Sequence, residues 1–159
     1  MKMDEINKAA AVFADFNALS GLEFLRKQMQ TSDQSPMARI MGMKIVSVEA
    51  GVVKIEATPS ERFYNPMMRV HGGFAATLID SCMGSAVLSK LPAATGVGTI
   101  VLNVNYVGKI DAATGVVTAT GTVLHAGRNM LTAEARLTDA KGRLLAHGTG
   151  TFLIYPKPD

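Results

Sequence analysis

The sequence predicts an α+β domain in which one helix lies against one face of an antiparallel sheet. Three observations predict it. Two stretches of period-two hydrophobicity precede residue 58, one long run of apolar and small residues begins at Gly73, and four alternating stretches follow from Val97 to Tyr155. No internal repeat, low-complexity tract or linker breaks that order. A length of 159 residues with 48% hydrophobic content suffices for one domain with a substantial core.

Each element has its own signal. In "MDEINKAAAVFADFNALSGLEFLRKQMQ" the residues Ile6, Ala9, Phe13 and Phe16 recur at helical spacing. Ser20 and Glu23 have the capping-box spacing, which predicts a second helix and a joint near Ser20–Gly21. Residues 1–36 are therefore expected to form a helical extension, a packing appendage to the main domain at 37–159. "TSDQSP" reads as a polar connector. "MKIVSVEAGVVKIEATP" reads as two strands turning at Ala50–Gly51, and "ERFYNPMMR" as a loop marked by Asn65–Pro66. "GFAATLIDSCMGSAVLSK" has apolar or small residues on every side, which predicts a helix buried all round. After a turn at "LPAATG", strands are expected at Val97–Val107, Gly115–His125, Met130–Thr138 and Arg143–Tyr155. In the third, Leu131, Ala133, Ala135 and Leu137 alternate with Thr132, Glu134, Arg136 and Thr138, so one face packs and one meets water. "DAKG" is the hairpin turn before the last strand.

Composition narrows the function. The net charge is +3, no Lys/Arg cluster stands out and aromatics are 6%, which argues against a nucleic-acid partner. A mildly basic surface suits a small anionic ligand. The single cysteine, Cys82, allows no intramolecular disulfide, and no segment approaches ~20 consecutive apolar residues. The beginning "MKMDEINKAA" has no apolar signal core, so a cytoplasmic protein without a membrane partner is expected. His71, His125 and His147 show no zinc-ligand spacing, so no metal is expected.

Within the apolar helix stands one acid, Asp80. A carboxylate there is costly unless paired, and two readings are open: a tuned functional group, or a structural acid that caps a broken helix with Ser81 or pairs with an arginine. The preceding His71-Gly72-Gly73 turn favours function. Glycines at a loop-to-helix junction let a ligand approach the backbone, and the first-turn amides form a ready oxyanion site. Eight residues separate Gly72 from Asp80, ~12 Å along a helix axis. One chain cannot bring both to one reacting carbonyl. If both serve one reaction, a twofold partner with an antiparallel central helix must supply the second.

Asn65, the His71-Gly72-Gly73 turn and Asp80 nine residues after the histidine resemble the hotdog-fold thioesterases of the phenylacetate-degradation type. That group includes the thioesterase-superfamily-member-2-like and 4-hydroxybenzoyl-CoA enzymes. The similarity runs from about Met41 to Tyr155 and includes the ending "AHGTGTFLIY". It implies a long central helix wrapped by a curved antiparallel sheet, assembled as dimers or as pairs of dimers. It implies acyl-CoA as substrate, with coenzyme A part of the substrate and no separate cofactor. The Gly72 amide and Asn65 would polarise the thioester carbonyl, and the partner's Asp80 would activate water or attack directly. His71 would sit near the leaving thiolate, with Gly73 beside the ligand, and Thr99 would assist the acid. Leu124, His125, Ala126, Gly127, Arg128 and Asn129 match a turn that contacts coenzyme A, and Tyr106 falls near the same ligand.

Two departures from the pattern stand out. Met68 stands where members often carry glycine, which leaves the loop's backbone angles open. Asp80 and Gly84 replace the glutamate and threonine of the 4-hydroxybenzoyl branch, which favours the aspartate branch.

Plainer readings stand beside these. Cys82, two residues from Asp80, points elsewhere on the helix and reads as core. Arg128 grips a coenzyme A phosphate or is a solvated turn residue. His125 and His147 fit strand ends or a solvated face, and threonine is ordinary at a strand position such as Thr99. Competing functions are an acyl-thioester dehydratase or hydratase of the same fold, and a binding module that senses acyl-CoA without turnover.

Overall fold

The computed structural model describes residues 3–31 and 35–156, with side chains over 10–31 and 35–155. Three helices come first: α1 (Met3–Ala18), α2 (Gly21–Gln30) and α3 (Pro36–Met41). The joint falls where expected. Ser20 Oγ accepts from the Glu23 amide at 3.4 Å while Glu23 Oε2 accepts from the Ser20 amide at 3.0 Å, closing the capping box. That reciprocal bonding with Ser20 also holds the Glu23 carboxyl below its usual range. Phe16 of α1 meets Phe24 of α2 edge to face, ring centroids 5.6 Å apart. The Ile6 and Ala9 side chains lie outside the described residues.

The connector is shorter than expected. Ser35 accepts from the Ala38 amide and Pro36 takes the first helical position, so the Ser-Pro pair begins α3 and does not extend a loop. Ser32 to Gln34 lie outside the described residues.

The strands then form one antiparallel sheet. They are β1 (Lys44–Glu49), β2 (Val52–Ala57), β3 (Thr95–Tyr106), β4 (Val117–Ala126), β5 (Met130–Asp139) and β6 (Leu144–Pro156), in the order β1-β2-β4-β5-β6-β3. Leu131, Ala133, Ala135 and Leu137 are buried, as the alternation predicts. Against them packs α4 (Gly72–Leu88), which contacts β2 through β6. Gly121 permits the close approach: a Cβ there would lie 2.7 Å from the Cys82 carbonyl oxygen. This is the hotdog arrangement, a central helix against an antiparallel sheet with helices added before it.

One expectation fails. The central helix is not buried on every side. Phe74, Ala75, Leu78, Ile79, Cys82, Met83, Ala86 and Val87 pack inward. Gly73 is exposed, and Ala76, Thr77, Asp80, Ser81, Gly84, Ser85 and Leu88 are only half-buried. Those positions recur at three and four residues and form one stripe. Small residues on that stripe looked like core filling in the sequence. In the structure they mark the helix face that the sheet leaves open.

The edge strand β3 is also uncovered. It runs 12 residues, and Ile100, Val101 and Leu102 are 54%, 45% and 38% exposed. A long apolar edge offers unpaired backbone groups to another strand.

Candidate active site

Asp80 reaches outward from the half-buried stripe towards β3. There Thr99 Oγ1 donates to Asp80 Oδ1 at 2.9 Å. The structure thus joins two residues that lie 19 positions apart. A threonine donor fixes the carboxylate rotamer and leaves Oδ2 free to accept a proton. No arginine pairs with Asp80 among the described residues, and α4 runs unbroken through it.

The turn before α4 is built by its own polar atoms. His71 caps the helix, with Nδ1 accepting from the Gly73 amide at 2.8 Å. The Gly73 amide is therefore occupied by the protein. The Gly72 amide makes no hydrogen bond among the described residues, and as a first-turn donor it has no helical partner. Because His71 Nδ1 is an acceptor, the neutral ring carries its proton on Nε2, free to donate to a ligand.

Asn65 organises the loop that precedes this turn. Its Oδ1 accepts from the amides of Met67 at 2.9 Å and Arg69 at 3.2 Å, and its own amide donates to the Arg69 carbonyl at 2.7 Å. The side-chain NH₂ stays unused within the described residues. Met68 sits in this loop at φ 56°, the left-handed region that favours glycine. The methionine thus adopts a backbone angle that glycine would take without strain.

Tyr106 belongs to the Gly72 end. Its ring covers Gly72 so closely that a Cβ there would meet Cε1 at 3.2 Å. Along β3, Thr99 and Tyr106 are seven residues apart, roughly 23 Å of strand. Helix and strand thus agree: Asp80 and Thr99 lie level with the middle of α4, and Gly72, His71, Asn65 and Tyr106 lie at its start. A single protomer does not bring the two groups together.

The segment Leu124 to Asn129 ends β4 and turns into β5. Leu124, His125, Ala126, Arg128 and Asn129 are exposed, and the Gly127 amide bonds the Met130 carbonyl at 2.9 Å. Strand register puts Ala126 across from Leu131, Leu131 from Phe152 and Phe152 from Thr99. The turn is thus level with Thr99 but three strands across the sheet from it, ~14 Å. His147 is half-buried in the middle of β6.

Two basic residues near the turn escaped the sequence reading. Arg69 and Lys109 line a cleft of about 400 Å³ with His71, Gly72 and Tyr106. Arg69 was legible as the residue two before His71. Lys109 was not, because only the fold brings the end of β3 back to the glycines. Lys109 pairs with Asp111 at 3.0 Å, which holds the Asp111 carboxyl below its usual range. Cys82 is core, as its spacing predicted: fully buried, its Sγ contacts the Val53 and Ala119 carbonyl oxygens, and desolvation pushes its thiol up to about 12. Among the described residues no cluster of His, Cys, Asp and Glu could hold a metal, and no helix is long and apolar enough to cross a membrane.

The fold is that of the hotdog proteins, and an acid on the central helix with a free amide at the helix start offers groups that thioester cleavage can use. The chain belongs to the thioesterase superfamily, which it matches over residues 68–146. Human acyl-coenzyme A thioesterase 13 is 31% identical over 115 residues, covering 71% of this chain and 81% of the relative. The 1,4-dihydroxy-2-naphthoyl-CoA hydrolase of Listeria monocytogenes is 26% identical over 117 residues, covering 74% and 94%. The solved PaaI protein of E. coli, from the phenylacetic acid degradation operon, superposes with a TM-score of 0.76 over 87% of this chain and 97% of its own. At 19% identity it shows the shared fold.

Proposed function

We propose that this chain hydrolyses an acyl-CoA thioester to free acid and coenzyme A, at a site composed from two protomers. The observation that carries the reading is the division of the machinery. An oriented acid, Asp80 held by Thr99, stands at the middle of α4, and an unpaired amide, Gly72, stands at its start, ~12 Å away along the axis. Two such chains related by a twofold axis complete each other. Pairing of the open β3 edges would run two central helices antiparallel, with Asp80 and Thr99 of one chain beside the Gly72 of its partner. The exposed Ile100, Val101 and Leu102 support that pairing.

In this arrangement the Gly72 amide and the Asn65 NH₂ stabilise the oxyanion, worth ~3 kcal/mol for each well-aimed donor. Asp80 Oδ2 takes a proton from the attacking water, and the Nε2–H of His71 faces the departing thiolate. Arg69 and Lys109 suit the phosphates of coenzyme A as well as Arg128 does. Asp80→Asn keeps shape and hydrogen bonding but removes the base, so it should retain fold and assembly and lose ~10² or more in kcat. Near-wild-type turnover of a panel of acyl-CoA thioesters by that variant would remove Asp80 from the chemistry. A wild type that binds acyl-CoA and hydrolyses none would make the protein a sensor.

A further inference from the structure

The turn that carries His71, Gly72 and Gly73 is fastened at its base by a short backbone bond. The His71 amide donates to the Phe63 carbonyl at 2.7 Å. The position of Phe63 therefore decides where the His71 ring and the Gly72 amide point. Behind the turn the packing is loose: Met41, Phe63, His71, Gly73, Phe74 and Thr77 line a crevice of about 260 Å³. Close contact does not hold the turn on that side, so its aim depends on whatever holds Phe63.

Two groups hold it. The Phe63 ring packs on Phe74 of α4, centroids 4.9 Å apart. The Arg62 guanidinium lies over the Phe63 ring, 4.6 Å from its centroid. Arg62 Nη2 also donates to the carbonyl of Ile40, close to the end of α3, where carbonyls lack helical partners. That end is itself anchored, because Gly42 caps it in the left-handed region and Met41 is buried. The exposed Arg62 thus joins α3 to the active-site turn through Phe63.

We propose that Arg62 is a positioning residue for thioester hydrolysis: by tying Phe63 to α3 it keeps His71 and the Gly72 amide aimed at the reacting group. The inference rests on the thioesterase reading and deepens it. Arg62 acts through its neighbours and not on the substrate, so its loss falls on kcat. An amide donor that wavers stabilises the transition state less, while the body of the substrate still binds.

The test compares full-length wild type, Arg62→Ala and Arg62→Lys by steady-state hydrolysis of a panel of acyl-CoA thioesters and by hydrogen–deuterium exchange. Arg62→Ala should lower kcat about ten-fold and leave KM within about two-fold. Exchange should quicken in residues 63–73 and stay unchanged in β5 and β6. Arg62→Lys keeps a donor for Ile40 and a cation for the ring, and should recover most of both losses. Should Arg62→Ala not fold, Arg62→Met keeps the apolar stem without the donor and takes its place. A folded variant with wild-type kcat overturns the proposal and leaves the thioesterase reading standing. So does a fall in kcat that Arg62→Lys fails to recover and that comes with faster exchange across the whole sheet, the mark of lost stability alone. Absence of hydrolysis by folded wild type across the panel overturns the thioesterase reading and the role of Arg62 with it.

Discussion

Met68 makes the loop beside the active-site turn strained in a way that one substitution can report. A left-handed backbone costs an L-residue roughly 1–2 kcal/mol, and Met68 at φ 56° is 63% exposed, so little packing offsets it. Met68→Gly removes the strain but widens the unfolded ensemble by ~0.4–1 kcal/mol. The net expectation is a gain of about 0.5 kcal/mol, seen as a slightly higher denaturant midpoint with an unchanged slope. A lower midpoint would mean that the methionine packs in the assembled protein. Cys82 gives a second residue-scale outcome. Buried and with its thiol pushed up to about 12, it should resist alkylation at pH 8 in the native state and react stoichiometrically once unfolded. Rapid native labelling would contradict the closed core.

Elements show what sequence could and could not deliver. The strands fall within about two residues of their expected ends; β2, β4 and β5 alternate between core and water, whereas β3 does not alternate and is largely exposed. The capping box located α2 because its chemistry is local. The same reasoning misjudged α4. Ser81, Gly84 and Ser85 are half-buried on the face the sheet leaves uncovered, and a pattern of small residues does not distinguish a sheet-covered face from an open stripe. Asp80, Gly72 and His71 could be singled out as candidates because helix-terminus and charge logic is local. The Thr99 contact and the place of Lys109 needed the fold, since they depend on β3 returning along α4. The extension's docking is likewise non-local, and Gly21 is its test. A Cβ at Gly21 would lie 1.8 Å from the Leu88 carbonyl oxygen, and the Gly21 amide bonds the Leu91 carbonyl at 3.0 Å. Alanine has the better helix propensity by ~1 kcal/mol, but the clash is with backbone at the end of α4 and cannot relax by a rotamer change. Gly21→Ala should therefore cost about 1–3 kcal/mol and open the segment between α2 and α3 to proteolysis. An unchanged cleavage rate there would show that α2 is not clamped at this glycine.

At the scale of the whole molecule, the separation of Gly72 from Asp80 makes assembly part of the proposed chemistry, and two variants, each expected to be inactive, can test it together. Asp80→Asn removes the acid. Gly72→Pro removes the amide donor, and the structure indicates why it should fold. Gly72 is the first residue of α4, where proline is at home, and its N–H makes no bond to lose. His71 already has φ −59° and ψ 139°, the extended conformation required before proline. The ring's nearest neighbour is the exposed Tyr106 side chain, which can swing away. In a mixed dimer one site combines the intact Gly72 of the Asp80→Asn chain with the intact Asp80 of the Gly72→Pro chain. The other site carries both defects. Subunit exchange should then restore up to about half of wild-type activity per mixed dimer, if the two sites work independently. Mixed dimers verified by mass, with both parents folded and no activity regained, would place Gly72 and Asp80 in separate roles and end the case for a site shared between chains.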